Sequence, residues 1–191
     1  NLIHPATMGR NAKQLVEAGR RAGVEIGLFF ARKANKALSL VDEIVRLGHG
    51  VDVAGEAELQ QTLQRGVPGR RIILTAAIKP ERLLRLAVAS GVTISLDSAP
   101  EAAAVAALAT ELGTIAQVAP RLAPETGQGL PPTRFGAPSA AWSEVLAPGL
   151  GLAVAGVHFH LHGYRAADRT AMLAEAIGLV GRLREQGHRP E

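Results

Sequence analysis

Short aliphatic runs alternate along this chain with longer segments whose apolar residues recur every three or four positions, and few folds accommodate that alternation. The runs at 26–31, 51–53, 72–75, 93–96, 114–122 and 153–160 read as strands, and the segments between them, about 10 to 15 residues long, as helices. The first five strand starts, at Ile26, Val51, Ile72, Thr93 and Thr114, fall roughly 21 to 25 residues apart. That distance suits βα units joined by right-handed crossovers, and therefore an all-parallel sheet. The strands are almost continuously aliphatic, as expected where helices cover one face and a packed interior the other. A doubly wound sheet and a barrel both satisfy this pattern, and periodicity does not separate them.

The helical segments carry their own signals. Leu40, Ile44 and Leu47 form one stripe, as do Leu83, Leu84, Ala87 and Val88, and later Leu173, Ile177, Val180 and Leu183. Gly48, Gly66, Gly91 and Gly113 each follow the last periodic residue of a segment, the position of a helix stop, and Asp168 is placed to cap the start of the last helix. The stretch 123–139, rich in Pro, Gly and Thr, breaks the rhythm as a long loop after the fifth strand, and such loops often carry function.

A composition of 47% hydrophobic and 20% charged residues belongs to a folded chain, and with only 3% aromatic residues the core must be aliphatic. The formal charge of +4 raises the question of a nucleic-acid partner. The arginines, however, are scattered over helix surfaces (Arg20, Arg21, Arg46, Arg65, Arg82, Arg85, Arg182, Arg184) without interleaved aromatics, so no nucleic acid is expected. Charges interrupt every apolar run, so no membrane association is expected either. The absence of cysteine excludes a disulfide framework and a thiol nucleophile, and the expected location is cytoplasmic. At 191 residues the chain is short for a closed (β/α)8 barrel. It begins at Asn1 and stops at Gly187-His188-Arg189-Pro190-Glu191, which reads as the turn after a helix in something longer.

Four constellations could carry chemistry. Phe29-Phe30-Ala31-Arg32-Lys33-Ala34-Asn35-Lys36 puts a lysine at the end of the first strand, where parallel α/β folds gather reactive groups. A lysine partly desolvated there would offer a neutral amine to a carbonyl, while the simpler alternative is a basic turn opening a helix. Val157-His158-Phe159-His160-Leu161-His162 ends the sixth strand, and period 2 would align the three histidines on one face if the strand persists. Such a row can bind a transition metal, with Asp52, Asp97 and Glu58 as further ligands, but it lacks a recognisable ligand pattern; one histidine stacked on an aromatic ligand is the better reading, and no metal is expected. Arg121 and the Thr133-Arg134-Phe135-Gly136 segment offer two guanidinium groups for a phosphate or carboxylate. Asp52 at a strand end and Glu58 on the following helix could pair with a lysine.

In this order the segments resemble the fold-type III pyridoxal-phosphate enzymes, the group of diaminopimelate, ornithine and biosynthetic arginine decarboxylases. Ala31-Arg32-Lys33-Ala34-Asn35 resembles the family's Ala-x-Lys-Ala-Asn signature, which implies that Lys33 holds pyridoxal 5'-phosphate as a Schiff base. Gly50-Val51-Asp52-Val53-Ala54 with Glu56 and Glu58 is similar to Gly-Phe-Asp-Val-Ala-Ser, which implies Asp52 and Glu58 beside the lysine and cofactor. Arg121 matches the arginine ending the fifth strand, and Arg134-Phe135-Gly136 is similar to Lys-Phe-Gly. Gly156-Val157-His158-Phe159-His160 resembles Gly-Leu-His-x-His, which implies that His160 stacks on the pyridine ring. Where the family continues His-x-Gly-Ser, this chain has His160-Leu161-His162-Gly163-Tyr164, and the serine that contacts phosphate is not matched.

The resemblance implies an incomplete (β/α)8 TIM barrel of the alanine racemase-like type, about six βα units filling residues 1–191 as a partial cofactor-binding domain. The Gly-rich phosphate loop, the acidic partner of the pyridinium nitrogen, the remaining strands and a C-terminal β-domain would lie downstream. It further implies a homodimeric amino-acid decarboxylase as the full-length protein, of a less characterised branch, with this stretch inactive alone. Alternatives are a racemase or other pyridoxal-phosphate enzyme on the same barrel, and a non-catalytic barrel that binds a partner.

Overall fold

The computed structural model describes residues 3–124, 130, 133–163 and 165–190. The chain divides into two compact units, Asn1–Ala76 and Ala77–Glu191. The first unit opens with α1 (Pro5–Arg21), then runs β1 (Phe29–Ala31), α2 (Leu38–Arg46), β2 (Gly50–Val53), α3 (Glu56–Gln64), a 3-10 turn at Gly69–Arg71 and β3 (Ile72–Leu74). The strands pair in parallel, with Ala31 beside Asp52 and Asp52 beside Ile73, as the βα alternation requires. Val41, Ile44, Val51, Val53, Leu59, Ile72 and Leu74 are buried. Each such aliphatic side chain contributes about 1.5–3 kcal/mol of burial free energy.

The second unit runs α4 (Glu81–Ala89), β4 (Thr93–Leu96), α5 (Ala99–Glu111), β5 (Ala116–Leu122), α6 (Ser139–Val145), β6 (Leu152–Val154), β7 (His158–Phe159) and α7 (Ala166–Glu185). β4 and β6 flank β5, all parallel, and β7 also pairs with β5. The expected helix stops are present: Gly48, Gly66, Gly91 and Gly113 all take positive φ just past a helix, a conformation that a Cβ disfavours.

Four expectations are corrected. The run 26–31 forms a strand only from Phe29, and 153–160 is split into β6 and β7. The partner offset along β5 rises from 36 (Val154 with Val118) to 37 (His158 with Arg121), so one extra residue is inserted around Gly156 as a bulge. β7 stops at Phe159, so His160 and His162 lie beyond the strand and the three histidines do not form one alternating row. In α7 the buried stripe is Met172, Ala176, Leu179 and Leu183, while Leu173 and Ile177 are exposed. The helix carries two apolar stripes one residue apart, and periodicity alone cannot say which one the core takes. Finally, Arg165 occupies the N-cap position of α7 and Asp168 sits inside the first turn, 3.7 Å from the Arg165 side chain, where its charge favours the helix dipole without capping it.

Candidate functional site

In the first unit the reactive candidates collect at the carboxyl ends of the strands. Lys33 stands two residues past β1, in a turn closed by the Ala34 amide on the Ala31 carbonyl and by the Ala37 amide on Asn35 Oδ1. Its Nζ donates to Thr75 Oγ1 at 3.0 Å and faces Asp52 Oδ2 at 3.3 Å. Thr75 Oγ1 in turn donates to Asp52 Oδ1, so the hydroxyl presents a lone pair to the amine. The β1–β2–β3 register creates this cluster: Ala31 pairs with Asp52, and Thr75 follows the end of β3 with its amide on the Val53 carbonyl. The Lys33 side chain is 54% exposed while that of Asp52 is 12% exposed, so the amine is reachable by a ligand.

Glu58 is the third residue of α3, and its Oε2 accepts from the Ala54 amide at 2.9 Å while Oε1 pairs with Lys36 Nζ. Glu58 thus ties Lys36 to the segment that leads into its own helix. Arg32, expected as part of a basic turn, is 1% exposed. Its guanidinium donates to the carbonyls of Glu58 and Lys36 and to Gln61 Oε1, stitching the lysine turn to α3. Two residues of this cluster escaped sequence reasoning. Thr75 is an ordinary strand-end threonine until the register places it, and nothing in the spacing of Arg32 distinguishes it from a surface arginine.

In the second unit the candidates surround β5. Arg121, 7% exposed, donates to Asp97 Oδ1 at 3.1 Å, and its guanidinium lies 4.6 Å from the Phe135 ring centroid. The Arg121 carbonyl accepts from Trp142 Nε1 at 2.8 Å and from the Ala137 amide at 3.0 Å. Gly136, at φ +78°, lies so close to that carbonyl that a Cβ would collide with it. The Arg134-Phe135-Gly136 motif therefore serves to hold Arg121: Arg134 flanks the other approach to Phe135 at 4.9 Å. The two guanidinium groups share a ring instead of converging on an anion.

His158 Nδ1 is 2.6 Å from Ser95 Oγ, which anchors β7 to β4. His160 follows the strand and is exposed, its ring 6.4 Å from that of His162 and edge-on to it. Both line a pocket of about 320 Å³ with Phe159, Leu161, Gly163 and Arg169. Tyr164, the residue where the phosphate-contacting serine is not matched, lies outside the described residues. Among the described residues no three His, Asp or Glu side chains converge as metal ligands.

In kind, the donors of each unit suit an anionic aromatic aldehyde: in the first a reachable primary amine held by a carboxylate and a hydroxyl, in the second a fixed guanidinium and an exposed imidazole. The comparisons agree. The profile of the family described as pyridoxal-dependent decarboxylase, pyridoxal binding domain, matches residues 9–189. An uncharacterised protein, y4yA, of Sinorhizobium fredii is 29% identical over 100% of this chain and 42% of its own length. A diaminopimelate decarboxylase of Archaeoglobus fulgidus is 28% identical over 76% of this chain and 38% of its own. The crystal structure of the diaminopimelate decarboxylase of Methanocaldococcus jannaschii in complex with L-lysine superposes with a TM-score of 0.84 at 23% identity, covering 99% of this chain and 48% of that one. The chain therefore spans less than half the length of these relatives, and its fold is the parallel α/β class of these TIM-barrel decarboxylases, with the barrel incomplete.

Proposed function

The chain belongs to the pyridoxal-dependent decarboxylases, through their pyridoxal-binding domain, and on that premise we propose that it forms the leading part of a longer amino-acid decarboxylase in which Lys33 carries pyridoxal phosphate. The observation that supports this most is the clamp on Lys33: an exposed amine at a strand end, fixed by Asp52 and Thr75. Bound there, the cofactor supplies a conjugated ring that takes up the electron pair left when a substrate's α-carboxylate departs as carbon dioxide.

The remaining work falls to side chains of this chain. Thr75 and Asp52 hold Nζ in one direction, which removes a long side chain's rotational freedom before a carbonyl arrives. Asp52 Oδ2, at 3.3 Å, is within reach to take the proton that the amine sheds on attack. Glu58, through Lys36 and the Ala54 amide, fixes the start of α3 beside the lysine turn. Arg121 supplies a fixed positive charge at the end of β5, and the exposed His160 an imidazole to stack on an aromatic ring. The proposed substrate is an amino acid, the working assembly a homodimer, and the location the cytoplasm; no helix among the described residues is long and apolar enough to cross a membrane.

The test is chemical. Borohydride reduction of the longer protein with pyridoxal phosphate should leave a pyridoxyl group on the peptide containing Lys33, and Lys33→Ala should remove it. Label on a different lysine, or none, would sink the reading. Measuring carbon dioxide release against loss of optical activity then distinguishes decarboxylation from racemisation.

A further inference from the structure

We infer that Lys79 and Glu101 are positioning residues for Arg121: a buried ion pair grips the backbone of Asp97, and the Asp97 carboxylate in turn fixes the Arg121 guanidinium. This rests on the reading above, in which Arg121 acts on pyridoxal phosphate. The geometry runs in three links within the second unit. Lys79 Nζ donates to both carboxylate oxygens of Glu101 at 2.8 Å, with the Lys79 side chain 0% exposed. Glu101 Oε2 also accepts from the Asp97 amide at 2.8 Å. Asp97 Oδ1 accepts from Arg121 at 3.1 Å.

The same device occurs in the first unit, and the comparison shows what is special here. Glu58 and Glu101 are each the third residue of a helix, each accepts from the amide that precedes the N-cap residue, and each pairs with a lysine 22 positions earlier in the chain. In the first unit the lysine, Lys36, is largely exposed and the gripped amide belongs to Ala54, which has no functional side chain. In the second the lysine is sealed from water, and the gripped residue is the aspartate that holds Arg121. A helix-start staple does not require a buried ammonium, whose desolvation opposes its charge. Burial does push the Lys79 ammonium below its usual value, against the pull of Glu101 and Asp97. Without the pair the Asp97 amide loses its acceptor, and the carboxylate that orients Arg121 moves with it.

A double-mutant cycle in the protein of the relatives' length tests this. Because Lys79→Met alone would strand a buried carboxylate, the working variant is Lys79→Met/Glu101→Met, which removes both charges and the acceptor of the Asp97 amide, compared in the wild-type and Arg121→Met backgrounds. Pyridoxal phosphate affinity is read by titrating the apo-protein and following visible absorbance, beside the melting temperature of each variant. The pair variant should weaken affinity about tenfold, and shift the visible band and its pH profile in the direction that Arg121→Met does. In the Arg121→Met background it should add less than about twofold. An unchanged affinity, or an equal loss in both backgrounds, would assign the pair to stability alone and overturn the inference. If the wild-type protein bound no pyridoxal phosphate, the functional reading would fall and this inference with it; wild-type binding with insensitive pair variants overturns only the inference.

Discussion

Arg32 sits next to the lysine proposed to carry the cofactor, yet its side chain turns the other way and is buried against three acceptors that bear no charge. Carbonyl and amide oxygens satisfy a guanidinium without the rigid two-point fit of a carboxylate, so the residue acts as a brace for the turn. Truncation leaves those acceptors unpaired and a void: Arg32→Ala should cost about 2–4 kcal/mol in denaturant melts, and Arg32→Met clearly less. Equal losses would mean that filling the volume contributes nothing and the polar contacts account for the whole effect. Gly136 presents the opposite case, where the absent side chain matters. Gly136→Ala combines an unfavourable positive φ with a collision at the Arg121 carbonyl, so a loss of about 1–3 kcal/mol together with weaker pyridoxal phosphate affinity is expected. A thermal melt and a cofactor titration on the same variant check both parts.

At the scale of elements, α7 offers the sharpest test. Its buried stripe runs through Met172 and Leu179, so Leu179→Ala in this chain should cost about 2–5 kcal/mol, while Leu173→Ser and Ile177→Ser should stay within about 0.5 kcal/mol. The reverse ranking would restore the face read from the sequence. The helix surfaces also carry a pH signature. Hydrogen bonds from Arg20, Arg46 and Arg85 hold the carboxyls of Glu17, Glu43 and Glu111 below the usual range. Folded values lower than unfolded ones mean that the contribution is complete above the unfolded value of about 4.3 and is lost as pH falls through the folded value. Glu111→Gln should therefore lower the melting temperature slightly at neutral pH, leave it unchanged at low pH and so flatten the acid-side decline; a larger change at low pH than at neutral pH would contradict the assignment.

Across the whole molecule, the positive formal charge is dispersed among ion pairs such as Arg85 with Glu111 and Arg65 with Asp42. Binding to duplex DNA that survived about 0.15 M salt in a mobility-shift assay would be unexpected for such a surface. The sequence by itself determined the alternation of strands and helices, the glycine stops, the order of the motifs and, through that order, the resemblance the family match bears out. Those properties are local: they follow from backbone preference and from which residues are adjacent along the chain. Strand register decided the rest. It brought Thr75 to Lys33, it slipped by one residue at Gly156, and it put Asp97 next to Arg121, while the pairing of β7 ended at Phe159 and left the histidine row unformed. Core packing chose between the two apolar stripes of α7 and buried Arg32 and Lys79. Those outcomes depend on partners tens of residues away, and a periodicity read along the chain carries no information about which neighbour will be across the sheet.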